Sequence, residues 1–97
     1  MNYLNALLPS QDELLKRAAW NNALPIYGSD DRRDCDGRVI RWSEYGTYST
    51  YGWHVDHIIP VALGGTDDSW NVRARHWYGN TSAGGLLSAA LAPFQRS

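Results

Sequence analysis

The 97-residue chain has one cysteine, Cys35, one methionine and one phenylalanine. A single thiol cannot close an intrachain disulfide, and it cannot supply a multi-cysteine zinc site. Lysine is nearly missing as well: Lys16 stands alone among nine cationic residues, the rest being arginine. No apolar run approaches the roughly 20 residues that a membrane-spanning helix requires. The opening Met-Asn-Tyr-Leu lacks the basic stretch of a secretory signal. A cytoplasmic protein without a membrane partner is therefore expected. Nor is there an excess of positive charge, since nine Lys plus Arg face ten Asp plus Glu, a formal charge of −1. That counts against a free-standing nucleic-acid binder, whose affinity comes largely from phosphate neutralisation. The arginine bias works the other way, because guanidinium grips phosphate with a bidentate fork.

Aromatic residues with a polar handle are abundant: five Trp and six Tyr. A domain of this length buries only about 60–65% of its unfolded surface, so large aromatic faces help it build a core. The hydrophobic share of 43% argues against wholesale disorder. With no repeats, low-complexity tracts or linkers, residues 1–97 read as one domain.

Ser10 followed by Glu13 is a capping box, and Leu14, Leu15, Ala18 and Ala19 follow at helical spacing. The spacing predicts a helix over about 10–22, stopped by Asn21-Asn22 and Pro25. Asp36-Gly37 offers two positive-φ positions for a tight turn, which predicts a hairpin over about 32–42. Trp53-His54-Val55-Asp56-His57-Ile58-Ile59 reads as a strand halted by Pro60. Thr66 or Asp67 is a candidate cap for a brief helical turn before Asn71. Residues 71–75 read as a short extended piece. A last helix is expected from His76, weakened by Gly79, Gly84 and Gly85 and strengthened over Leu86–Leu91.

All three histidines lie between residues 54 and 76, and two of them bracket a carboxylate in His54-Val55-Asp56-His57. Asp56 and His57 side by side suit one metal ligand and one general base. On a regular strand, however, neighbouring side chains point to opposite faces. Serving one small site therefore requires the strand to twist or end there.

The ordered run Asp56-His57-Ile58-Ile59-Pro60, Gly64-Gly65, Asp67-Asp68, Asn71 and Asn80 resembles the HNH endonuclease family. It covers roughly residues 53–85. The resemblance implies an α+β fold with a small ββα-metal core over about 52–92, to which the N-terminal helix and hairpin are additions. It implies metal-dependent hydrolysis of DNA phosphodiester bonds, leaving a 5′ phosphate and a 3′ hydroxyl. In that arrangement Asp56 and Asn80 would hold a divalent cation. His57 would be the general base, and Asn71 would bond the backbone so as to hold His57 in place. Oxygen donors favour Mg²⁺, with Mn²⁺, Ni²⁺ or Zn²⁺ as alternatives. Many relatives carry two Cys pairs around a structural zinc. Here Cys35 is all that remains of the first, and His76 and Gly79 stand where the second would be. No structural zinc is expected, and Cys35 reads as an inert, partly buried thiol.

Four further residues keep two readings each. His54 either meets the substrate phosphate or metal, or packs near Trp53. His76 either supports the metal ligands or packs in the core. Arg73 and Arg75 are either a phosphate-binding pair or a solvated one. The implied partners are DNA and, by resemblance, a larger phage or mobile-element protein, with the chain a monomer or homodimer. The rival function is a module that keeps the fold and binds nucleic acid or a partner without cleaving. A domain whose metal only stabilises the fold is a third reading.

Overall fold

The computed structural model describes residues 8–80, and the chain adopts an α+β fold. Helix α1 spans Gln11–Asn21. It begins where Ser10 Oγ accepts a hydrogen bond from Glu13 N at 3.1 Å, satisfying one of the amides that a helix start leaves without partners. Only that half of the capping box forms among the described residues. The Glu13 carboxylate turns instead to Arg17, one turn on, at 3.3 Å. At the other end the Asn22 side-chain amide donates to Ser69 O and Val72 O, each at 2.7 Å. The residue that stops the helix therefore also pins it to a distant segment.

The buried stripe of α1 differs from the predicted one. Ala19 and Trp20 are buried and Leu15 and Ala18 flank them, whereas Leu14 is 49% exposed. Five residues of helix amount to a rotation of about 140° past one full turn, which carries Leu14 away from the centre of the face at Ala19.

Strands β1 (Leu24–Pro25), β2 (Arg32–Arg33) and β3 (Val39–Ile40) form an antiparallel sheet in that order. The predicted hairpin is thus present as β2–β3, but its turn has a different construction. Only Gly37 has a positive φ, 84°, and Asp36 does not. The loop is folded by Asp34, whose Oδ1 accepts from Asp36 N and Arg38 N, both at 2.9 Å. A short carboxylate at the start of a turn captures amides in this way.

Strands β4 (Trp53–His57) and β5 (Val72–His76) form a second antiparallel pair, with Trp53 opposite His76 and His57 opposite Val72. The extended piece expected over 71–75 is therefore a full strand. The short 3₁₀ turn before β5, Ser69–Asn71, follows Asp68 and has no side-chain cap, so neither Thr66 nor Asp67 fills that role. Thr66 Oγ1 instead donates to Asp68 Oδ2 at 2.8 Å. Residues 77–80 are helical. The expected continuation through Leu86–Leu91 lies outside the described residues.

Helix α1 packs on both β4 and β5. Between them lie Trp53, Val72 and Ala74, with Ile40 contributed by the other sheet, all 0–1% exposed. The rings of Trp20, Trp42 and Trp53 lie 5.1 to 6.0 Å from one another. Aromatic pairs at such separations add about 0.5–1.5 kcal/mol each beyond their buried area. Trp53 Nε1 donates to Arg41 O at 2.8 Å, so the largest core side chain also has its polar atom satisfied. Among the described residues no helix is long and apolar enough to cross a membrane.

Candidate active site

Strand alternation sorts the β4–β5 pair into two faces. Trp53, Val55, Val72, Ala74 and His76 share the face that carries the core, with His57 at its end. His54, Asp56, Arg73 and Arg75 share the other. The strand stays regular through His57, so Asp56 and His57 leave it on opposite sides. The twist or break that would bring them together within the strand does not occur.

On the Asp56 face the charges are paired. Arg73 Nε donates to Asp56 Oδ2 at 2.8 Å, and Arg75 Nη1 lies 3.9 Å from the same oxygen. Partial burial works against the Arg73 charge, but the Asp56 hydrogen bond and nearby anionic groups outweigh it and raise its pKa. Arg73 and Arg75 are therefore not simply a solvated pair. Asp56 Oδ1 makes no hydrogen bond among the described residues. Its side chain is 14% exposed. His54 stands opposite Arg75 and against the Tyr48 ring, with centroids 5.5 Å apart. Burial lowers its pKa.

Asn80 belongs to the helical start at 77–80, whose placement is marked by its neighbour Gly79. A Cβ added at Gly79 would lie 2.7 Å from Asp36 Oδ2 and 3.6 Å from Arg75 Nε. The helix start therefore lies on the Arg75 side of the strand pair, which is also the Asp56 side.

His57 projects the other way and meets a partner there. Its Nε2 lies 2.8 Å from Asp67 Oδ1. The loop that brings Asp67 back is built around Asn71, whose residue is fully buried. Asn71 Oδ1 accepts from Ile59 N at 2.8 Å, and Nδ2 donates to Ile59 O at 3.2 Å and Thr66 O at 2.7 Å. Its main chain joins in: Asn71 N donates to Asp68 O, and Asn71 O accepts from Ile58 N, each at 2.8 Å. Gly65 is required beside it, because a Cβ there would sit 1.7 Å from Ile59 O.

His76 is occupied by the scaffold. Its Nε2 donates to Thr50 O at 2.7 Å, and its Nδ1 accepts from Tyr78 N at 3.0 Å. Both ring nitrogens are thereby engaged in a neutral imidazole. Its main-chain N donates to Asp34 Oδ2 at 2.8 Å. The second oxygen of Asp34 thus ties the β2–β3 loop to the end of β5. Asp36 reinforces the joint, with Arg75 Nη2 at 3.0 Å.

Asp34, Cys35 and Asp36 have ligand-type atoms within 4.8 Å of one another. Both Asp34 oxygens already accept backbone amides, however, and Asp36 Oδ2 already binds arginine. The trio is a joint, and it presents no open coordination shell. Cys35 is exposed, contrary to the partly buried position expected for it. Local desolvation still raises its thiol pKa, against the opposing charge of Arg73.

Two residues without an assigned role in the sequence thus matter to the architecture. Asp67 is visible there only as a candidate cap and one of two adjacent acids, and Asp34 carries no signal of its own beside the Asp36-Gly37 turn. Compared with protein-family models, with curated proteins and with solved structures, the chain matches none.

Proposed function

We propose that the protein is a metal-dependent DNA endonuclease of ββα-metal type, its core made by β4, β5 and the helix that starts at 77. The observation that carries this reading is Asn71. A buried amide that ties Ile59, Thr66 and the end of the Asp56-His57 strand into one unit is costly unless fully paired. Here it is fully paired, at the place where a base must be held still.

The donor set fits a hard cation. Asp56 offers a carboxylate oxygen without a hydrogen bond among the described residues, and Asn80, in the helical start that follows β5, is the amide that the resemblance supplies as its partner. Those two residues would hold one divalent ion, Mg²⁺ by donor chemistry. Such an ion, when bound, stabilises the negative charge that builds on a phosphate under attack. His57 would take the proton from the attacking water, which a neutral imidazole can do near pH 7. Because its ring leaves β4 on the side opposite Asp56, base and ion act on one phosphate only if the end of β4 opens beyond its pairing with β5. Arg73 keeps the Asp56 carboxylate oriented.

DNA contacts are available beside this centre. A groove of about 410 Å³ runs past Arg73 and is also lined by Arg33, Ile58 and Trp70. Arg33 donates from Nη1 to Gly37 O at 2.9 Å and has no carboxylate partner among the described residues, and Trp70 is 60% exposed. A guanidinium without a carboxylate partner, near an open aromatic face, suits a phosphate and a base.

The ion pair of Asp56 with Arg73 favours one rival, a fold that binds DNA or a partner without cleaving. Plasmid cleavage with Mg²⁺, Mn²⁺, Ni²⁺ or Zn²⁺, run for wild type and His57→Ala, separates the two. Nicking that needs metal and drops by about 10² or more in the variant supports the nuclease. Absence of cleavage with every metal, in folded protein that binds DNA, supports the rival.

A further inference from the structure

Asp67 lies outside the roles given so far, yet its carboxylate meets the ring proposed as the base. The contact is short, 2.8 Å between His57 Nε2 and Asp67 Oδ1. It is also built from both sides. Asn71 Nδ2 holds the carbonyl of Thr66, the residue before Asp67. Asn71 N holds the carbonyl of Asp68, the residue after it. The same Asn71 amide holds both backbone groups of Ile59, two residues beyond His57. One side chain therefore fixes the base and its carboxylate partner in a common frame. The approach of the loop depends on Gly65, where any Cβ would collide with Ile59 O.

An ionised carboxylate can only accept hydrogen bonds, so the imidazole nitrogen facing it must carry the hydrogen. In neutral His57 that leaves the lone pair on the other nitrogen. We propose that Asp67 is a positioning residue that holds His57 in the Nε2–H tautomer and so presents Nδ1 as the nitrogen that takes the proton from water. The water then loses its proton to Nδ1 as its oxygen bonds to phosphorus. The P–O3′ bond breaks, and the departing 3′ oxygen takes a proton from solvent to leave a 3′ hydroxyl and a 5′ phosphate. The imidazolium keeps its Nε2–H bond to Asp67 and returns the extra proton to solvent. The orienting role is of the kind that lets a carboxylate fix a catalytic imidazole while never itself becoming protonated. The assignment rests on the nuclease reading only for the proton transfer. The tautomer stands or falls by itself.

The experiment uses the full chain with nitrogen-labelled histidine, as wild type, Asp67→Ala and Asp67→Asn. Two-bond nitrogen–proton spectra, taken well above the imidazole titration, report which nitrogen of His57 bears hydrogen. Asp67 is exposed on its loop, with a side chain 53% accessible, so the variants are expected to fold. A melting curve on each checks this. The expected result is Nε2–H in wild type, a mixed or reversed tautomer in Asp67→Ala, and retention in Asp67→Asn, whose amide oxygen still accepts. Cleavage kcat is expected to fall about 10²-fold in Asp67→Ala with KM little changed, the scale of a misplaced reacting group, and to be partly restored in Asp67→Asn. Nδ1–H in the wild type overturns the proposal. So does an unchanged His57 tautomer in Asp67→Ala. A wild type that cleaves nothing yet shows the Asp67-dependent tautomer overturns the nuclease reading and leaves the orientation of the ring in place.

Discussion

Two buried polar side chains organise two loops of this molecule, and they do so to different ends. Asp34, 6% exposed, folds the β2–β3 loop on itself and fastens it to the end of β5. Asn71, fully buried, folds the β4–β5 connection and fastens it to the strand it came from. Both satisfy several backbone groups at once, which is how a small core can include polar atoms without loss. The difference lies at the loop tips. The Asp34 loop ends in Asp36, a carboxylate already bound to arginine. The Asn71 loop ends in Asp67, a carboxylate brought against a histidine. One joint holds the scaffold together, and the other holds an imidazole and a carboxylate in register.

That division can be broken by experiment. Asn71→Ala should have the largest effect, because Ile59 N, Ile59 O and Thr66 O lose a partner together. Each buried group left unsatisfied costs about 1–3 kcal/mol, so a loss of about 3 kcal/mol is expected after relaxation. Urea unfolding measures it, and cleavage should vanish with it. Asp34→Ala should cost about 2 kcal/mol, since some of the freed amides lie near solvent. In folded protein its cleavage rate should stay within a few-fold of wild type. If Asp34→Ala abolishes cleavage while the fold persists, scaffold and site are not separable as described.

The smallest effect concerns His54, on the Asp56 face between Tyr48 and the facing Arg75. Burial lowers its pKa from the model-peptide value of 6.5. The unfolded chain therefore takes up this proton at higher pH than the native state does. Stability that His54 permits above about pH 6.5 is lost as pH falls below that value, towards the native-state pKa. His54→Gln should flatten that part of the stability–pH curve, as unfolding midpoints across the window would show. An unchanged slope would mean that the ring is as well hydrated in the fold as in the coil.

Local signals were legible and long-range closures were not. Ser10, Glu13 and the Asn21-Asn22 stop marked α1 because capping chemistry acts within one turn. Trp53 to Ile59 read as a strand through β-branched and aromatic residues ahead of Pro60, and the strand is there but ends two residues earlier, at His57. Asp56, His57 and Asn71 stood out by their order and spacing. Strand alternation also warned that Asp56 and His57 would diverge, and they do. What the sequence could not reveal is the pairing of Asp34 with His76, 42 residues apart, or the return of Asp67 to His57. Both depend on a path that the chain takes only after the two strands have paired. The exposed Leu14 was misplaced because its spacing fits the stripe while the helix turns a different flank to the sheet.

The three packed indoles of Trp20, Trp42 and Trp53 also bear on how the protein can be observed. They come from α1, the turn after β3, and β4, and they touch only when those three parts are assembled. Chromophores this close share their electronic excitations, so the near-ultraviolet circular dichroism of the chain carries a built-in optical signal of assembly. That signal belongs to the scaffold and lies apart from Asp67 and His57. It would remain in a variant whose chemistry had been removed.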